Sequence, residues 1–110
     1  MRARDNVADA NDLQKHTSGD TISVATTMLG MLADPTRLRL LAALVPGERD
    51  VTALTGVAGA ARPAVSQHLG KLRLAGLVRV RREGRRQVYE LAGPHVARLV
   101  TEVLRAAAGR

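Results

Sequence analysis

The chain has no cysteine. That excludes disulfides, thiolate metal sites and a cysteine nucleophile. Phe and Trp are also absent, and Tyr89 is the sole aromatic residue. Any core must therefore be assembled from Leu, Val, Ala, Met and Ile, which bury less surface per side chain than aromatic rings do. No apolar run approaches the roughly 20 residues of a membrane-spanning helix, and no secretory leader is recognisable. The chain reads as cytoplasmic, with no membrane partner. Catalytic patterns are equally thin: there is no Gly-rich phosphate loop, no Ser/His/Asp spacing and no HExxH-like pair. The inventory argues against an enzyme and calls for no cofactor; Asp34 and Asp50 are better accounted for as helix caps.

What is abundant is positive charge. The 110 residues hold 17 Lys/Arg against 10 Asp/Glu, a net charge of +7. Eight of those cations (Arg62, Lys71, Arg73, Arg79, Arg81, Arg82, Arg85, Arg86) face only Glu83 and Glu90 within residues 61–90, a net +6 in one segment. A genomic bias toward Arg would spread along the chain, so the clustering points to a polyanionic partner. A single domain of this size buries only about 60–70% of its unfolded surface, which favours help from a partner subunit.

Residues 1–20 lack apolar periodicity and read as a mobile N-terminal arm, leaving 21–110 as the folded domain. Ile22, Ala25, Met28, Leu29 and Leu32 predict a first helix to about Ala33, capped by Asp20 or Thr21. Asp34 and Pro35 start a second, whose stripe is Leu38, Leu41, Ala42 and Leu44 or Val45, and Pro46-Gly47 ends it. Asp50 caps a short third helix with Val51, Leu54 and Val57 inward, closed by Gly59. In a fourth, about Ala61 to Ala75, the wheel groups Ala61, Val65, Leu69 and Leu72 and leaves Pro63, Ser66, Gln67, Gly70 and Lys71 opposite. LVRVRRE and RRQVYEL alternate as two strands around Glu83-Gly84, anchored by Leu77, Val78, Val80, Val88 and Leu91. Val96, Leu99, Val100, Val103 and Leu104 form the apolar face of a last helix.

This order gives the expected fold class: α+β, mostly helical, a winged helix-turn-helix with five helices and a two-stranded β-hairpin wing. Two amphipathic terminal helices flanking a compact middle predict a shared dimer layer. On the fourth helix, Gln67 can pair with adenine, Ser66 can reach a base edge or phosphate, and Arg62 can read guanine or clamp the backbone. The alternative is that Ser66 and Gln67 form an ordinary solvated face. Arg81, Arg82, Arg85 and Arg86 cluster at the hairpin tip, placed for a minor groove or for phosphates. His68 reads as a partly buried, hydrogen-bonded residue, and Arg37 as fixing the second helix or touching backbone.

Three blocks, MLADPTRLRLLAAL, PAVSQHLGKLRLAGLVRVRREGRRQVYEL and HVARLV, resemble the ArsR/SmtB family of bacterial repressors over roughly residues 22–105. The resemblance implies a cytoplasmic homodimer, paired through its first and last helices, that binds double-stranded DNA at an inverted-repeat operator and leaves it when an effector binds. It puts base contacts on Arg62, Pro63, Ser66 and Gln67, with Lys71 in the same DNA-binding set. Related repressors can carry a polar side chain where Pro63 stands.

Of the family's metal sites, the thiolate type is excluded by composition. The type at the two ends of the last helix keeps only His95, because Gly93, Ala106 and Gly109 occupy the other ligand positions. The expected metal set is therefore none. Four alternatives stay open: an unknown small-molecule effector, a repressor governed by its own abundance, an atypical Zn/Ni/Co site using His95, Glu102 and His16, and a winged-helix protein-interaction module.

Overall fold

Ser18 opens the first helix. In the computed structural model, which describes residues 13, 14 and 16–110, its hydroxyl oxygen accepts the backbone N–H of Thr21 at 3.3 Å, and α1 runs Gly19–Leu32. The cap thus sits before the expected Asp20 or Thr21, and Asp20 instead takes a first-turn position, where a carboxylate suits the helix dipole. Residues 1–12 and 15, most of the expected arm, lie outside the described residues.

The second helix, α2 (Pro35–Leu44), begins as expected. Asp34 Oδ2 accepts the Arg37 N–H at 3.0 Å, and Pro35 occupies the first turn, where its missing N–H costs nothing. The chain then forms β1 (Arg49–Asp50), α3 (Val51–Ala58), α4 (Arg62–Leu74), β2 (Val78–Glu83), β3 (Arg86–Leu91) and α5 (Pro94–Ala108). Gly59, at φ +66°, closes α3 in the left-handed conformation that glycine adopts without penalty. Gly84 (φ +60°) sits first in the two-residue β2–β3 turn, and among the described residues no non-glycine has a positive φ. That combination is the type II′ pattern, whose twist matches the flanking strands.

The expected winged helix-turn-helix is present, with one addition. β1 pairs antiparallel with β3 (Arg49 with Tyr89, Asp50 with Val88), giving a three-stranded sheet of order β1-β3-β2. A two-residue strand has no periodicity of its own, so only the Asp50 cap was legible there.

The core is one cluster centred on α2, which packs against α1, α3, α4, α5 and β3. Leu40, Leu41 and Leu44 of α2 are all buried. This corrects the expected stripe: Leu38 is only half-buried and Val45 is exposed, whereas Leu40 is inside because α2 is packed from several sides and its buried face is wider than one stripe, although Pro35 and Arg39 stay exposed. In α3, Ala58 takes the inward place expected of Val57, and at the start of α4 Ala61 is the exposed cap residue. Val65, Leu69 and Leu72 are each 0% exposed and fix the roll of α4. The two terminal helices are less well covered. In α1 only Leu32 is buried, with Ile22, Val24 and Leu29 exposed, and in α5 only Val100 is buried, with Val103 and Leu104 exposed.

Candidate nucleic-acid interface

With Val65, Leu69 and Leu72 turned into the core, helical geometry sends Pro63, Ser66, Gln67 and Lys71 outward, and all four are exposed. Pro63 lies in the first turn of α4, where the orphan donors of a helix start make a proline harmless. The wing extends from the end of α4. The Leu77 N–H bonds the Leu72 carbonyl and the Ala92 N–H bonds the Leu77 carbonyl, each at 3.0 Å, so helix and hairpin share a fixed joint.

Between the start of α4 and the wing tip lies a cleft of about 320 Å³. It is lined by Arg62 and Ser66 from α4, by Arg82, Arg85 and Arg86 from the wing, and by Asp50 and Thr52 at the start of α3. Five of the nine residues expected to meet DNA therefore converge on one polar concavity. Its four arginines outweigh the single carboxylate of Asp50. Arg62 Nη1 donates to Thr52 Oγ1 at 3.3 Å. Arg82 and Arg85 make no ion pair or side-chain hydrogen bond among the described residues, and so remain open to an external anion.

The other expected residues are placed differently. Pro63 and Gln67 are exposed on α4 but do not line the cleft. Lys71 lies beside a separate groove with Thr27, Met31, Arg37 and Leu74. Arg81 points to Glu48, and its two terminal nitrogens lie 2.5 and 2.7 Å from the Glu48 carboxylate oxygens. Arg86 donates to Asp50 Oδ2 at 3.1 Å. Thr52, Gln87 and Glu48 were missed by sequence reasoning. Thr52 was accessible as a first-turn residue of the helix preceding α4, but nothing local marks Glu48, which meets Arg81 across 33 residues of chain.

These contacts perturb the carboxylates. The Ala53 N–H and then the Arg86 guanidinium hold the Asp50 carboxyl below its usual range, and hydrogen bonding to Arg81 does the same for Glu48. Arg81 itself is pushed up by Glu48 and Glu83. At the α1–α2 corner the Arg37 backbone N–H lowers Asp34, while Arg37 Nε donates to the Met31 carbonyl at 2.9 Å and Nη1 lies 3.5 Å from His68 Nδ1. His68 is half-buried, as its position beside Leu69 predicted, and Arg37 secures the end of α1 to the start of α2.

Among the described residues no group of three or more His, Cys, Asp or Glu could hold a metal ion. His95 is exposed in the first turn of α5 with Nδ1 2.6 Å from Arg98 Nη2, and Glu102 pairs with Arg105. Each of these two side chains is thus engaged by an arginine one turn along α5. No helix among the described residues is long and apolar enough to cross a membrane.

Comparison with known proteins agrees with this geometry. Residues 34–80 match the model of the bacterial regulatory protein arsR family. The chain is 41% identical over 85 residues, 77% of its own length, to the HTH-type transcriptional regulator KmtR of Mycobacterium tuberculosis. It is 45% identical over 69 residues, 63% of its length, to a Streptomyces lividans protein named "Probable mercury resistance operon repressor". The matched stretches span 65% and 55% of those two relatives. In structure it superposes with TM-score 0.74 and 38% identity on the homodimeric winged helix-turn-helix DNA-binding domain of Mb0332 from Mycobacterium bovis, covering 79% of this chain and 81% of that one. The chain belongs to the ArsR family of bacterial regulatory proteins.

Proposed function

We propose that the chain is a sequence-specific DNA-binding transcriptional regulator, a repressor that acts as a homodimer on an inverted-repeat operator. One observation carries the reading: the cleft between α4 and the wing gathers Arg62, Ser66, Arg82 and Arg85, with the last two making no ion pair or side-chain hydrogen bond among the described residues. A helix with a polar outer face lies in a major groove while a basic loop beside it neutralises phosphate, and these are separate tasks. Gln67 and Ser66 read base edges, with Arg62 and Pro63 at the entry to the groove. Arg82 and Arg85 carry the wing's backbone contacts, Arg81 and Arg86 shape its tip, and Lys71 meets phosphate further along α4.

Pairing places two such surfaces on one duplex. The exposed apolar residues of α1 and α5 supply the pairing layer, and the Mb0332 domain is itself homodimeric. Half-sites about one helical turn apart then follow from twofold symmetry. Any signal that controls the chain does not act through thiolate capture of a metal. A mercury-type response is chemically excluded because the chain has no cysteine to bind a soft metal.

Selection of bound duplexes from a random pool tests the proposal. The expected result is an inverted repeat, and Gln67→Ala relaxes preference at one position of each half-site by about 1–3 kcal/mol in competition binding. Recovery of no common sequence, or a Gln67→Ala selection identical to the wild type, refutes it.

A further inference from the structure

Five charged side chains of the wing region form a continuous chain: Glu48, Arg81, Glu83, Arg86 and Asp50. Arg81 spans both Glu48 oxygens at 2.5 and 2.7 Å and reaches Glu83 Oε2 at 2.6 Å. Glu83 Oε1 accepts from Arg86 Nη1 at 3.2 Å, and Arg86 Nε donates to Asp50 Oδ2 at 3.1 Å. Two guanidinium groups therefore meet three carboxylates, so the cluster carries a net charge of −1.

Strand register places most of this cluster on one face of the sheet, although Asp50 and Arg86 also line the cleft that Arg82 and Arg85 enter. Arg81 lies opposite Val88, Glu83 opposite Arg86, and Asp50 opposite Val88 on the other side of β3, so all four charged residues share one face of the sheet. Arg82 lies opposite Gln87 on the alternate face, and Arg85 is in the turn. An isolated surface ion pair contributes little, but a forked arginine within a network is held more firmly than an isolated lysine would be. Asp50 is further fixed by its second job, since its Oδ1 accepts the Ala53 N–H at 2.9 Å.

We propose that Glu48, Asp50 and Glu83 are positioning residues of the wing: they hold Arg81 and Arg86 off nucleic-acid phosphate, so that the wing grips the backbone through Arg82 and Arg85 alone. The acidic residues hold affinity for any duplex below what the positive charge of the segment permits, leaving discrimination to α4. The inference rests on the nucleic-acid reading above.

Salt dependence separates the cations, because each phosphate neutralised adds about 0.9 to the slope of log affinity against log salt. The full chain is titrated by fluorescence anisotropy against a labelled duplex of arbitrary sequence between about 50 and 200 mM salt. In a dimer, Arg82→Ala with Arg85→Ala removes four contacts and flattens the slope by roughly 3–4. Arg81→Ala with Arg86→Ala changes it by less than about 1. The near-isosteric pair Glu48→Gln with Glu83→Gln frees Arg81 in each protomer and steepens the slope by about 2, equivalent to roughly tenfold more affinity lost across that range. Equal flattening by the two arginine pairs overturns the latch, as does an unchanged slope in the glutamine variant, which decides the matter even if Arg81→Ala does not fold. A wild-type chain that binds no duplex at any salt overturns the nucleic-acid reading and the latch together, whereas steep wild-type binding with the wrong ranking of variants overturns the latch alone.

Discussion

Leu72 and Leu74 lie two residues apart on α4 and differ only in where the helix points them. Leu72 is 0% exposed and Leu74 is 84% exposed. Truncating a fully buried leucine to alanine removes its transfer energy and leaves a cavity, together about 2.7–5 kcal/mol. Truncating an exposed one stays within about 0.5 kcal/mol. The chemical change and the helix are the same, so propensity effects cancel in the comparison. A chain of this length has roughly 5–15 kcal/mol in total, so Leu72→Ala forfeits from about a fifth of that margin to nearly all of it. In urea, with a slope of about 1–3 kcal/mol per molar, its midpoint falls by on the order of 1–2 M, while that of Leu74→Ala hardly moves. Both variants are measured at one protein concentration, since pairing makes apparent stability depend on it. Equal midpoints for the two variants would mean that the roll assigned to α4 is wrong, and with it the outward placement of Ser66 and Gln67.

Two further outcomes are expected. If α1 and α5 form the pairing layer, Leu104→Glu puts a carboxylate into that layer and light scattering reports a particle near the 11.7 kDa chain mass instead of twice it; an unchanged dimer excludes α5 from the layer. Asp34, Glu48 and Asp50 have carboxyls held below their ordinary range in the fold, so their contribution is complete above about pH 4 and is lost as pH falls through the depressed values. Thermal midpoints should thus be flat from neutrality to about pH 5 and decline below about pH 4; a midpoint unchanged down to pH 2 would contradict the cap and latch contacts.

Much of the fold was legible because its signals are local. Asp34 with Pro35, Asp50, Gly59 and Gly84 each act within a turn of their own position, and the structure puts a cap, a start or a reversal at every one of them. The stripe of α4 was equally plain, since only one face of that helix touches the core. The same wheel reasoning failed for α2, where Leu40 is buried, because a helix contacted by five other elements buries more than a single stripe. Ile22 and Leu29 match the helical period yet stay exposed among the described residues; in the proposed homodimer a second copy would cover them. At the candidate interface the residue types were recognisable, but the division of the wing arginines was not. Alternation along β2 and β3 marks Arg81 and Arg82 as lying on opposite faces; it cannot say that Glu48, far away in sequence, waits on one of them.

That division changes how the positive charge of the segment should be weighed. Counted along the sequence, residues 61–90 present a net +6 to any polyanion. Counted in space, Arg79 faces Glu90, and Arg81 with Arg86 is outnumbered by Glu48, Glu83 and Asp50. Of the four arginines lining the cleft, Arg86 is paired with Asp50 and Glu83, which leaves Arg62, Arg82 and Arg85 beside the polar face of α4. Fewer free cations mean weaker attachment to arbitrary duplex, while the hydrogen-bonding groups of Ser66 and Gln67 are untouched by the pairing. Because non-specific sites vastly outnumber an operator, lowering the sequence-independent part of affinity raises the fraction of protein found on the correct site. On the proposal above, the acidic residues of the wing region would thus belong to the discrimination of the interface as much as its arginines belong to its strength.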